Sequence, residues 1–260
     1  MQLTWLGAAG FRIKTPEGAI FLIDPFLSRP PEATPVSPIR LPDLFPVDEI
    51  FLTHGRFDHA LDSPAIVEQT GAIVHGPPDV TTHLAALGVS PHSLQPVKLN
   101  QTNWLGSLTW QALAGRIREG DFSPALQALI RNRVAFSQTR TLDRDWPLGE
   151  VVVYLFQTDS LSLIHFGSAG WDEATLPTVR PDVALLPVER PVTAEAAAVK
   201  LALRLRPRLL IPHHWDNYHP AISQTPDLTN LAGLIQSQEP SIRVYLPEIG
   251  QPFEITVLLE

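Results

Sequence analysis

Residues 53–59 read Thr53-His54-Gly55-Arg56-Phe57-Asp58-His59. Two imidazoles and a carboxylate follow directly on Glu49-Ile50-Phe51-Leu52-Thr53, an apolar run that reads as a buried strand. A strand that ends in such a cluster delivers its side chains into a loop, where imidazole and carboxylate suit Zn²⁺, Mn²⁺ or Fe²⁺. Arg56 stands inside the cluster but cannot ligate a cation, because a guanidinium stays protonated and offers only donors.

Upstream, short apolar segments at Leu3–Leu6, Phe11–Lys14 and Ala19–Asp24 are closed by Gly or Pro and predict a meander. A Pro-rich stretch through Pro46 follows as an ordered loop. Downstream, the patterns predict a helix over Ser63–Glu68, a strand at Ile73-Val74, a helix capped by Asp79 and running to Leu87, and a strand over Leu108–Ala114. Residues 120–149 are the least regular and are read as an insertion covering one face, with a helical piece over Pro124–Arg133. Strands then fall at Val151–Gln157, Leu161–Phe166, Val183–Pro187 and Leu209–Pro212. Helices fall at Thr193–Leu205, capped by Thr193, and at Leu228–Gln236, with final strands near Val244 and Glu254. Two strand-rich halves, each followed by helices, predict one layered domain over residues 1–260 in which two sheets pack face to face beneath outer helices.

Composition narrows the chemistry. The chain has 260 residues and no cysteine, so disulfides, iron–sulfur clusters and thiolate zinc sites are excluded. His, Asp and Glu remain as ligands. A formal net charge of −8, from 27 acids against 19 Lys and Arg, argues against nucleic-acid or anionic-membrane partners. No apolar run reaches bilayer length and no basic region precedes an apolar stretch at the start, so a cytoplasmic protein is expected.

Several ordered motifs carry a resemblance over nearly the whole chain. They are Thr4-Trp5-Leu6-Gly7-Ala8-Ala9-Gly10-Phe11, Leu22-Ile23-Asp24-Pro25-Phe26, the stretch 53–59, Leu113-Ala114-Gly115-Arg116, His165-Phe166-Gly167-Ser168, Pro187 through Glu195-Ala196, and Ile211-Pro212-His213-His214-Trp215. Together they resemble the metallo-β-lactamase superfamily, within it the branch similar to bacterial L-ascorbate-6-phosphate lactonases. The resemblance implies an α+β, four-layer αββα sandwich and a dinuclear centre. One metal would take positions 54, 56 and 116, occupied by His54, Arg56 and Arg116. The second would take Asp58, His59 and His214, all ligands. Position 168, the bridging carboxylate of the family, is Ser168, and Ala8 stands where the family usually has His. Asp24 matches an acid that helps orient the site. At the third position of the first metal, Gly115 and Arg116 are alternative alignments.

Two readings follow. In one, Asp58, His59 and His214, with His54 nearby, hold at most one divalent ion for hydrolysis of a small ester, lactone or phosphoester. Arg56 and Arg116 then bind an anionic substrate group and stabilise developing charge with Asp58. In the other, the chain holds no metal and binds a small anion in a regulatory role. Trp215, Tyr218 and His219 are expected at the rim. His75, His83 and His92 read as structural, and His165 should face away from Ser168. Ser168 lacks the G-x-S-x-G elbow of a nucleophile.

Overall fold

Alternation of side chains along the strands builds two sheets that share one interior. In the computed structural model, which describes residues 1–116, 142, 144–168, 180–188, 194–220 and 223–260, the first sheet contains β1 (Gln2–Gly7), β2 (Gly10–Lys14), β3 (Ile20–Ile23), β4 (Glu49–Phe51), β5 (Ile73–Gly76) and β6 (Leu94–Pro96). The second contains β7 (Asn103–Leu105), β8 (Leu108–Ala114), β9 (Val152–Gln157), β10 (Ser162–His165), β11 (Val183–Pro187), β12 (Leu209–His213) and β13 (Arg243–Val244). The last strand, β14 (Pro252–Glu254), pairs with β1, giving the orders β14-β1-β2-β3-β4-β5-β6 and β13-β12-β11-β10-β9-β8-β7. The opening β1-β2-β3 meander is antiparallel, whereas β3, β4, β5 and β6 run parallel, as do β10, β11, β12 and β13.

One face of each sheet meets the other. Leu3, Trp5, Phe11, Phe21 and Phe51 from the first sheet pack against Trp110, Tyr154, Phe156, Leu185 and Ile211 from the second. The residues that alternate with these point outward. Leu22, Ile50 and Val74 lie under α2 (Ser63–Thr70) and α3 (Pro78–Ala86), which bury Ile66, Val80 and Leu84 against them. On the far side Ile164, Ala184, Leu186 and Leu210 meet α4 (Ala194–Leu205) and α5 (Leu231–Gln238). Ala198, Leu201, Ala202 and Leu205 recur at three- and four-residue spacing, the one-sided stripe such a helix needs. The result is the αββα layering. Because helices cover both outer faces, the parallel strands read as continuous apolar runs rather than alternating ones.

Several element boundaries differ from the sequence reading. Asp79 is not the N-cap of α3; Pro77 holds that position, and the Asp79 Oδ2 accepts the Glu150 backbone N–H at 2.8 Å, tying the helix to the segment before β9. The helix expected over Leu228–Gln236 is Leu231–Gln238, and a short helix, α6 (Ile255–Leu259), follows β14 where only a strand was expected. The short edge strands β6 and β7 have too few residues for a clear period. The helical piece Pro124–Arg133, the cap at Thr193 and most of the expected insertion lie outside the described residues. Among the described residues, no helix is long and apolar enough to cross a membrane.

Candidate metal centre

Parallel pairing brings distant stretches to one edge. The C-terminal ends of β3, β4, β10 and β12 lead into Asp24, the 53–59 loop, Gly167-Ser168 and His214, and the β1–β2 turn lies beside them. The two sheets are joined across this edge by hydrogen bonds. The His214 backbone N–H donates to Ala8 O at 2.9 Å, Val152 N–H to Thr53 O at 2.9 Å, and Tyr154 Oη–H reaches Leu52 O at 3.0 Å.

The 53–59 loop ends in a single turn, α1 (Phe57–Ala60), which buries both Asp58 and His59. Ligand atoms of Asp58, His59 and His214 lie within 4.8 Å of one another. Asp58 Oδ2 is 3.7 Å from His59 Nε2 and 3.5 Å from His214 Nε2, and its Oδ1 is 3.6 Å from Arg56 Nε. Among the described residues, both Asp58 oxygens and His59 Nε2 are buried without a hydrogen-bond partner. Burial alone would raise the Asp58 pKa, but Arg56 foremost, then His59 and His214, hold the carboxyl well below its ordinary value. Burial lowers His59 to about 3, against the pull of Asp58, so the imidazole is neutral at neutral pH. An ionised carboxylate and a neutral imidazole are the protonation states that a cation requires.

Asp24 fixes how His59 presents itself. Its Oδ1 accepts Thr53 N–H at 2.7 Å, and its Oδ2 accepts Thr53 Oγ1–H at 2.6 Å and lies 2.8 Å from His59 Nδ1. That contact places the ring proton on Nδ1 and turns Nε2 toward Asp58 and His214, the carboxylate–histidine arrangement found behind metal ligands. Burial, the largest influence, raises Asp24, opposed by nearby His165 and His54 and by the Thr53 hydrogen bonds.

His54 is placed beside this set but engaged elsewhere. Its ring lies 3.8 Å from that of His59, while its Nε2 is 2.7 Å from Ser168 Oγ and its Nδ1 accepts the Arg56 backbone N–H at 3.3 Å. With Nδ1 accepting, Nε2 carries the proton and donates to Ser168. The pair therefore lacks the tautomer that would activate a serine nucleophile. Burial, then the neighbouring His59, lowers His54 well below its ordinary value. Two glycines make the approach feasible. A Cβ on Gly55 would collide with Pro147 O, and one on Gly167, at φ 58°, would collide with Thr53 Oγ1.

The remaining expected residues distribute around the centre. Tyr218 is buried with its ring 4.8 Å from that of His214, and His219 lies edge-on to Phe57 at 5.7 Å. Trp215 turns to Trp5, 4.9 Å away, and packs with the interior. Arg116 follows β8 and is exposed. His165 faces the space between the sheets, donating to Ala9 O at 2.9 Å and stacking on His213 at 4.8 Å. The sequence reading missed Arg29 and Asp216. Arg29 Nη2 is 2.8 Å from Asp216 Oδ2 with both side chains buried, and Asp216 Oδ1 accepts Ala8 N–H at 3.0 Å, pinning the β1–β2 turn to the His214 loop. Asp216 lies two residues after His214, which was the only signal; nothing local marks Arg29.

The fold and the buried His/Asp cluster define a metallo-β-lactamase-type architecture. The chain belongs to the metallo-β-lactamase superfamily, the family described as "Beta-lactamase superfamily domain" matching residues 2–214. It is 30% identical over 223 residues to a UPF0173 metal-dependent hydrolase of Polynucleobacter asymbioticus, spanning 83% of this chain and 74% of that protein. It is 28% identical over 254 residues to a UPF0173 metal-dependent hydrolase of Myxococcus xanthus, spanning 96% of this chain and 81% of that one. Among solved structures, Igni18, a metallo hydrolase from Ignicoccus hospitalis, superposes with a TM-score of 0.72 at 20% identity, covering 97% of this chain and 98% of its own. An isothiocyanate hydrolase from Delia radicum gut bacteria superposes with a TM-score of 0.68 at 16% identity, covering 98% and 99%. Both structures are too distant to speak to more than the fold.

Proposed function

We propose that the protein is a metal-dependent hydrolase that holds one divalent ion on Asp58, His59 and His214 and acts on a small anionic ester, lactone or phosphoester. The observation that carries this reading is the convergence of Asp58 Oδ1 and Oδ2 with His59 Nε2, buried and without hydrogen-bond partners among the described residues. Such atoms are costly to bury unless a cation satisfies them. The relatives named as metal-dependent hydrolases support the same class. A bound divalent ion supplies Lewis acidity, which acidifies water and polarises a substrate oxygen.

The chain's own residues do the rest. Asp24 keeps the His59 proton on Nδ1, so Nε2 faces the centre as a lone-pair donor. Arg56 keeps Asp58 ionised and, being 22% exposed, also reaches the open side of the centre. There it holds the anionic group of the substrate with Arg116, and the two guanidinium groups offset the negative charge that develops as the ester or phosphoester is attacked. His54 and Ser168 bind one another where a second ion would otherwise sit.

A second reading rests on the Arg56 contact. At 3.6 Å from Asp58 Oδ1, the guanidinium offsets the buried carboxylate without any ion, which suits a metal-free module that binds a small anion. Native mass spectrometry of protein purified without chelator separates the two. One equivalent of zinc, manganese or iron, lost in the His59→Ala variant, supports the hydrolase; no retained metal after incubation with each ion leaves the anion-binding module. Two tightly held equivalents would overturn the single-ion centre.

A further inference from the structure

The sheets end together on one side, at β6 and β7, and between these edge strands lies a cavity of about 450 Å³. None of the metal-centre residues lines it. Its size falls within the range of small-molecule sites. We propose that it is a second binding site, for a small saccharide.

The interior wall is aromatic. Trp110 is 4% exposed, yet among the described residues its Nε1–H has no hydrogen-bond partner. A buried indole N–H normally finds an acceptor, so one from a ligand entering the cavity fits the observation. His75 contributes ring surface: its Nε2 is 3.0 Å from Glu49 Oε2, and one face stacks on Phe51. Trp104 also lines the cavity and is 68% exposed. An exposed indole bordering a cavity offers an apolar surface against which the C–H groups of a sugar ring can lie.

The other walls are carboxamides. Gln95, Gln101 and Asn103 line the cavity, and among the described residues no carboxylate does. Each carboxamide both donates and accepts, which is what sugar hydroxyls ask of a site, since each hydroxyl also does both. Asn103 Nδ2 donates to the Gln101 backbone O at 3.0 Å and Gln101 Nε2 donates to Asn103 Oδ1 at 3.4 Å, which sets the loop in advance and leaves each amide a further N–H. Among the described residues Lys98 is the one permanently charged lining residue, so the site tolerates a neutral sugar or a sugar acid and disfavours a cation.

Ligand-observed saturation-transfer NMR on the whole chain tests this, with glucose, N-acetylglucosamine and glucuronate as probes and adenine as a planar control. We expect transfer to at least one sugar, unchanged in the His59→Ala variant, and about tenfold weaker binding in Trp110→Phe, which keeps an aromatic ring but loses the indole N–H and part of its surface. The Gln95→Leu, Asn103→Leu double variant, at exposed and half-buried positions, should weaken binding similarly and serves if Trp110→Phe does not fold. No transfer to any of the three sugars, transfer undiminished in the double variant, or transfer to adenine alone would each overturn the proposal.

Discussion

At position 56 a guanidinium stands 3.6 Å from the carboxylate that the proposed ion would need, and it repels that ion as well as competing for its ligand. Arg56→Ala should therefore raise the affinity for zinc by at least about tenfold, the effect of removing one unit charge a few ångströms from a divalent cation in a partly buried site. The same variant should weaken binding of phosphate or a substrate-like carboxylate. Calorimetric titration with zinc and with phosphate reads both, and a variant that weakens both would assign Arg56 to holding the loop together. Asp24 acts from behind. Asp24→Asn keeps the shape but offers His59 Nδ1 a weaker and ambiguous partner, so zinc affinity should fall about 10- to 100-fold. The circular dichroism spectrum should remain that of the parent.

The elements explain why some of this was readable in advance. Glu49–Phe51 and Leu209–His213 are apolar runs ending in ligand-type residues, so both the buried strands and the loops they feed were evident from residue order alone. Residue order alone did not group Asp58 and His59 with the distant His214; that grouping came from the resemblance to the superfamily, which supplied the ligand positions. The Arg29–Asp216 pair and the His54–Ser168 contact were not legible, because each joins residues 187 and 114 positions apart through the meeting of two sheets, a separation no local pattern encodes. Asp79 misled for a related reason: its position suits a cap, but its carboxylate is drawn away by the Glu150 N–H. The turn after β10 is held by similarly close contact. Gly167→Ala should destabilise by about 1–3 kcal/mol, since it adds both a collision with Thr53 and the strain of a positive φ. Gly18→Ala, also at positive φ but with nothing within 4 Å, bears only the strain and should cost less. Urea unfolding of the two variants measures the difference; equal losses would mean that the turn yields around Thr53.

Across the whole molecule, the edge that carries the centre also buries an unusual set of imidazoles, and this makes stability depend on pH in a calculable direction. Burial foremost lowers His54 and His213 well below their ordinary value, His59 to about 3 and His165 to about 4. In the unfolded chain each titrates near 6.5. Above that value neither state binds a proton and these groups contribute no pH dependence. Below it the unfolded chain takes up protons that the folded chain refuses, so stability falls as pH falls, by up to about 1.4 kcal/mol per pH unit for each such histidine. For His165 the loss continues to about pH 4 and for His59 to about pH 3. Asp24 and Asp216 work the other way: burial raises both, so the folded chain binds their protons first and recovers some stability in acid. Four depressed imidazoles outnumber two raised carboxyls, and Asp58, held well below its ordinary value, adds to the loss in acid. Metal-free protein should therefore show a urea midpoint that is level above pH 7 and drops steeply from about pH 6.5 toward 5, before ordinary carboxylates titrate. Saturating zinc should raise the midpoint without steepening the drop, because His59 is already neutral and Asp58 already ionised in the folded chain over this range. A midpoint unchanged between pH 7 and 5 would mean that the buried imidazoles accept protons within the fold, and that the space between the sheets at this edge admits water.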